Sequence, residues 1–393
     1  MHSETSGAGS NREAGPGSIE GQRTGGAGGS DALASEMYML SEPANQRRRW
    51  LWALRGPGIA AVLLLLLVAC IYAVYRPPAS SDWWLWVLSL VVVGMPHGAY
   101  DLAVFLRTSR SKSHAALRFG GYTLVMVACI AALMLFPVPT AVAFLLLAAH
   151  HFGLGDSVWT RNRPLRAEPS PARRVLRHAA ATGRGVAVIF APFVFSPLAA
   201  WSPFGTIAGL VAGTGPLGLG SLTAPMIAAG AGGLVILGLL AQLAWACSML
   251  VMRSRDGAVA SAASQAHSAV PARLLGAGLL EEWGTIAAVL VLSAVAPPLV
   301  AIGAYFVLVH ASGHCARALV PARRAPAPGL GNAWRVHVES LPLLVVSVLM
   351  VLGLAWWFGL AGGVLAAESL GLSFLGFCIV ATLPHHLLWL PRG

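Results

Sequence analysis

Apolar runs long enough to cross a bilayer recur along this 393-residue chain, separated by short links rich in arginine. A membrane-spanning helix needs about 20 apolar residues, because the hydrocarbon core is about 30 Å thick. The runs read as 57–75, 83–106, 118–136, 138–157, 183–200, 225–252, 280–297, 299–319, 338–359 and 370–390. A lone apolar run can satisfy its own backbone in lipid only as a helix. The pattern therefore predicts an all-α polytopic transmembrane bundle of about ten spans. Composition agrees, with 10% of residues charged against roughly a quarter in a soluble domain.

The net charge of +11 would suit a nucleic-acid binder, but its distribution argues against one. Basic residues cluster at Arg47 to Arg49, Arg107 to Lys112, Arg161 to Arg184, Arg253 to Arg273 and Arg317 to Arg335. Ten spans with a cytoplasmic N-terminus put all of these on one side, the positive-inside pattern of a multi-pass cell-membrane protein. Arg76 alone falls outside. The outer links are then Pro77–Asp82, Pro137, Trp201–Ala224 and Pro297–Pro298, with the glycine-rich 205–224 stretch open to a re-entrant or interfacial reading. Trp83, Trp84, Trp86, Trp201, Trp356 and Trp357 fit an aromatic belt near span ends. Residues 1–45 carry no apolar period and read as a disordered cytoplasmic tail, ahead of an integral membrane catalytic domain over 46–393. Cys70, Cys129, Cys247, Cys315 and Cys378 sit in apolar segments without CxxC spacing and read as small core residues.

Seven histidines fall inside the apolar runs: His97, His150, His151, His310, His314, His385 and His386. An ionisable ring in hydrocarbon is costly unless something satisfies it, so each is a candidate for function, and imidazole is the commonest protein metal ligand. Spans 2, 4, 8 and 10 all run from the outer face inward. His97 and His151 each stand ten residues before an arginine (Arg107, Arg161), and His310 and His385 each stand seven before one (Arg317, Arg392). At 1.5 Å per residue, four helices carry histidine at similar depth, as a metal site built across a bundle requires. His310 and His314, four apart, share a helix face.

Pro96 should kink span 2 beside His97, and Pro384 repeats the arrangement before His385. Asp101 lies one turn from His97 and Asp156 five residues from His151, so both read as carboxylates that fix imidazole tautomers. Small residues beside the rings (Gly94, Gly98, Gly153, Gly313) allow close helix approach or room for a bulky ligand. His150 and His386 adjoin stronger candidates and should face elsewhere. His2, His114, His178, His267 and His337 lie in the tail or basic loops, where no role is expected. Glu281 and Glu282 read as interfacial, and Tyr305 as a packed aromatic. Nitrogen donors with little thiolate or carboxylate suit Fe, Cu or Zn, and a site buried in a membrane bundle points to a hydrophobic substrate.

Pro96-His97-Gly98-Ala99 with Asp101, His151-Phe152-Gly153, His310 with His314, and Leu383-Pro384-His385 together resemble the Brp/Blh family of carotenoid-cleaving membrane proteins. The resemblance covers roughly 83–390. It implies a β-carotene 15,15'-dioxygenase that uses dioxygen to split the central double bond into two retinal molecules. It implies non-haem Fe(2+) on His97, His151, His310 and His314, with His385 nearby as ligand or as support to one, and a rhodopsin as a candidate acceptor of the retinal. The linker Ala311-Ser312-Gly313, the long tail and the extended 205–224 and 253–278 segments depart from compact members. A regulatory opsin-associated protein is the main alternative. A membrane desaturase or hydroxylase would show several histidine boxes, and a transporter would show inverted repeats.

Overall fold

A computed structural model describes residues 58–78, 81–161, 170–260, 272–318, 330–362 and 367–389. The tail expected over 1–45 lies outside these. Among the described residues every regular element is a helix. In chain order they are α1 (Gly58–Val74), α2 (Trp84–Val92), α3 (Gly94–Ala99), α4 (Asp101–Thr108), α5 (Lys112–Leu135), α6 (Pro137–Asp156), α7 (Val158–Arg161), α8 (Pro171–Phe195), α9 (Pro197–Ala212), α10 (Ala224–Ala260), α11 (Ala272–Val295), α12 (Pro298–Tyr305), a π-helical turn (Phe306–Ala311), α13 (Ser312–Ala318), α14 (Leu330–Gly362) and α15 (Ala367–Trp389).

Nine helical stretches among the described residues are long and apolar enough to span a membrane. The first expected run, 57–75, forms the 17-residue α1, which is shorter than those nine. The expected link Trp201–Ala224 is in part helical, because α9 continues to Ala212 and stops where Gly213 turns left-handed at φ 68°. The following segment folds back on α9, with the Trp201 indole N–H donating to the Leu217 carbonyl at 2.8 Å. The protein is thus a polytopic all-α bundle.

Helix α8 forms its centre, 61% buried over its most apolar stretch against 11% for α5. Glycine makes this possible: a methyl group on Gly183 would strike the backbone of Gly238 on α10, and one on Gly185 the Ala149 carbonyl on α6. Such small-residue contacts let membrane helices approach closely. Around the outside, Leu63, Leu124, Leu237, Leu349 and Trp356 are more than half exposed, as befits a surface that meets lipid.

Four expectations need correction. The basic segment Arg161 to Arg184 is not all a surface link, since Arg177 and Arg184 lie on α8 and are buried. A buried arginine persists when paired, and Arg184 Nε stands 3.9 Å from Glu282. Glu282, expected at the interface, is itself fully buried. Trp86 and Trp201 are packed inside, unlike the exposed Trp84, Trp356 and Trp357. None of the five cysteines forms a disulfide, and none is buried: Cys70 and Cys247 are exposed, the rest intermediate. A small thiol is as compatible with lipid as with a core.

Span 2 breaks as Pro96 demands. Val93 leaves helical geometry (φ −140°, ψ −32°) between α2 and α3. Proline has no N–H for the carbonyl four residues earlier, and that carbonyl, on Val92, accepts from His337 Nε2 at 2.8 Å. His337 therefore lies on α14 with a structural partner on α2, rather than in a basic loop.

Candidate metal centre

Five histidines gather in the interior: His97 from α3, His151 from α6, His310 from the π-helical turn, His314 from α13 and His385 from α15. The His97 ring lies 5.4 Å from His310, 5.6 Å from His314 and 5.3 Å from His385, centre to centre. His151 lies 5.0 Å from His310, 5.7 Å from His314 and 5.1 Å from His385. His310 and His314 are 4.7 Å apart. One nitrogen from each of His151, His310 and His314 falls within 4.8 Å of the others; His97 and His385 stand just outside this tightest group. The turn bearing His310 is π-helical, a local widening that recurs at functional sites. Phe152 stacks on the His310 ring at 4.0 Å and sets its plane.

Three of the rings are held from behind through Nδ1. His310 Nδ1 is 3.0 Å from Asp156 Oδ2, which also accepts from the Tyr305 hydroxyl at 2.8 Å. His385 Nδ1 is 2.8 Å from Asp101 Oδ2. His151 Nδ1 is 3.0 Å from His386 Nδ1. A carboxylate behind Nδ1 fixes the proton there and leaves Nε2 with its lone pair. Each aspartate thus serves a ring on another helix, not the histidine nearest it in sequence. His386 does not face elsewhere as expected: it contacts His151, because consecutive residues of α15 straddle the same stretch of α6. His150 stands 5.1 Å from the His386 ring and meets Thr182 Oγ1 at 3.0 Å.

Behind Asp156 runs a buried polar network that sequence reading missed. Tyr305, expected as a packed aromatic, carries the Arg184 guanidinium over its ring at 5.9 Å. Beyond Arg184, Glu282 accepts from Ser157 Oγ at 2.7 Å, the Val158 N–H at 3.1 Å and Gln242 Nε2 at 3.0 Å. Gln242 in turn accepts from the Trp159 indole at 3.0 Å. The available signal was charge at the ends of apolar runs, where Arg184 and Glu282 passed for interfacial residues.

The donor set fits a transition metal. His151 Nε2 is buried without a hydrogen-bond partner, and a buried polar atom left so is costly unless something satisfies it. Clustered imidazole nitrogens suit Fe, Cu or Zn. His97, His151, His310 and His385 also form part of the wall of an apolar cavity of about 400 Å³, a volume typical of small-molecule sites. The rest of that wall mixes aliphatic side chains with ten aromatic ones, among them Trp86, Phe119, Tyr122, Phe204, Phe306 and Phe374.

Fold and site together define an integral-membrane protein with a histidine cluster open to an apolar cavity. A family model described as beta-carotene 15,15'-dioxygenase matches residues 88–390, and the chain belongs to that family. The match includes every histidine of the cluster. No curated protein and no solved structure matches the chain.

Proposed function

We propose that the protein cleaves the central double bond of β-carotene with dioxygen, releasing two molecules of retinal. The observation that carries this reading is the placement of His97, His151, His310 and His385 in the wall of an apolar cavity, within a chain of the β-carotene dioxygenase family. His97, His151, His310 and His314 would hold Fe(II), with His385 beside them. Bound there, the ion would supply the electron density that lets ground-state dioxygen react with a carbon–carbon double bond.

The chain's own residues do the positioning. Asp156, Asp101 and His386 hold three rings by Nδ1, and Phe152 braces His310. Rigid support of this kind keeps a site at productive geometry. The aromatic wall excludes water and holds the polyene so that its middle meets the histidines; alignment in the cavity decides which bond is cut. Both oxygen atoms enter the two aldehydes as one C=C becomes two C=O, so no external reductant is required. The products are apolar and can leave into the bilayer, where a rhodopsin is a candidate acceptor.

Expression in cells that accumulate β-carotene tests the proposal. Colour should fade as retinal appears by chromatography, and His310→Ala should lower both activity and bound iron, on the order of 100-fold. Persistent colour with the wild-type protein would overturn it, as would purified protein that binds iron no better than the His310→Ala variant.

A further inference from the structure

The glycines around the histidines look alike in sequence, but the structure separates them. A methyl group on Gly94 would meet Phe306 Cε1 at 2.8 Å, and one on Gly155 would meet His314 Nε2 at 2.9 Å. On Gly153 it would crowd Thr182 Cα at 2.9 Å as well as the Ala181 carbonyl. These three are glycine because helices or rings press against them. A methyl on Gly98 would meet nothing within 4 Å.

Backbone conformation does not call for glycine at 98 either. The residue lies within α3 and is not among the positive-φ glycines, Gly58, Gly213 and Gly220. Glycine is among the weakest helix formers, so alanine would suit that backbone better. Gly98 does, however, line the cavity immediately after His97 in the chain, together with Phe119 and Tyr122.

From this we infer that Gly98 is a specificity-determining position: the side chain it lacks is the space beside His97 that the middle of a long polyene occupies. The inference rests on the proposed carotenoid cleavage. Residue size at 98 then sets how close the central double bond comes to the histidines, and which bond is presented there. A larger side chain would push the polyene outward or make it bind off-centre.

Gly98→Ala and Gly98→Leu in the full-length protein test this, read by iron content, thermal stability, β-carotene binding to metal-stripped protein, and products. The expectation is iron content like wild type, with stability unchanged or raised in Gly98→Ala. Affinity of the metal-stripped protein for β-carotene should fall about threefold for alanine and more than about tenfold for leucine, while the remaining product shifts from retinal toward unequal aldehydes. Wild-type-like carotenoid binding and retinal yield in both variants would overturn the inference while leaving the proposed function intact. A wild-type protein that makes no retinal would remove the function and this inference with it. Gly98→Ala decides the matter alone should leucine prevent folding.

Discussion

His385 Nδ1 and Asp101 Oδ2 lie 2.8 Å apart although 284 positions separate the two residues in the chain. The contact ties the C-terminal helix to the broken second span and turns the free edge of the His385 ring toward the other imidazoles. Outer-sphere carboxylates of this kind typically change metal affinity by roughly 10–100-fold. Asp101→Ala should therefore weaken iron binding by about that factor while helix content stays constant. Asp101→Asn keeps an acceptor oxygen and should lose less. Metal titration of purified protein checks both, and equal affinity in all three proteins would show that His385 needs no orienting partner.

Arg184 and Glu282 make the second prediction. Both are buried, and their charged atoms come to 3.9 Å. Removing one partner of a buried pair strands the other charge, at about 3–5 kcal/mol. Arg184→Met should cost roughly that much. Adding Glu282→Gln should recover part of the loss, because the stranded carboxylate goes while Ser157 Oγ and Gln242 Nε2, which share one oxygen of Glu282, keep an acceptor. Denaturant unfolding in micelles measures the cycle. A double variant as unstable as the sum of the two singles would mean that the charges do not interact.

Those same residues mark where sequence reading reaches its limit. His97, His151, His310 and His385 could be placed at one depth because each could be counted along its span to a nearby arginine. That count is a local property, and the rings do come together. Asp101 and Asp156 were visible as candidates for orienting histidines, but their ring partners are on other helices, and no spacing rule reports which helices touch. Arg184 and Glu282 were misplaced because charge at the end of an apolar run looks the same whether lipid headgroups or a buried partner receives it. Trp86 shows the same ambiguity: a tryptophan near a span end suggests the interface, yet this one stacks on Phe306 at 5.9 Å inside the cavity wall. Nine of the ten expected runs form helices of spanning length among the described residues, and α1 has the right composition and falls only slightly short in length.

The break at Pro96 supplies the last prediction. Proline at 96 leaves the Val92 carbonyl without its helical donor, and His337 Nε2 takes that place at 2.8 Å. His337→Ala should destabilise the protein by about 1 kcal/mol, the usual net worth of one hydrogen bond, while cavity and histidine cluster stay intact. Restoring the backbone donor changes the outcome. In a Pro96→Ala background the residue 96 N–H can bond to Val92 directly, so the same His337→Ala change should cost close to nothing. The coupling is read as the difference between the two His337→Ala effects in denaturant unfolding. Equal costs in both backgrounds would show that the imidazole stabilises α14 through something other than the carbonyl that proline leaves open.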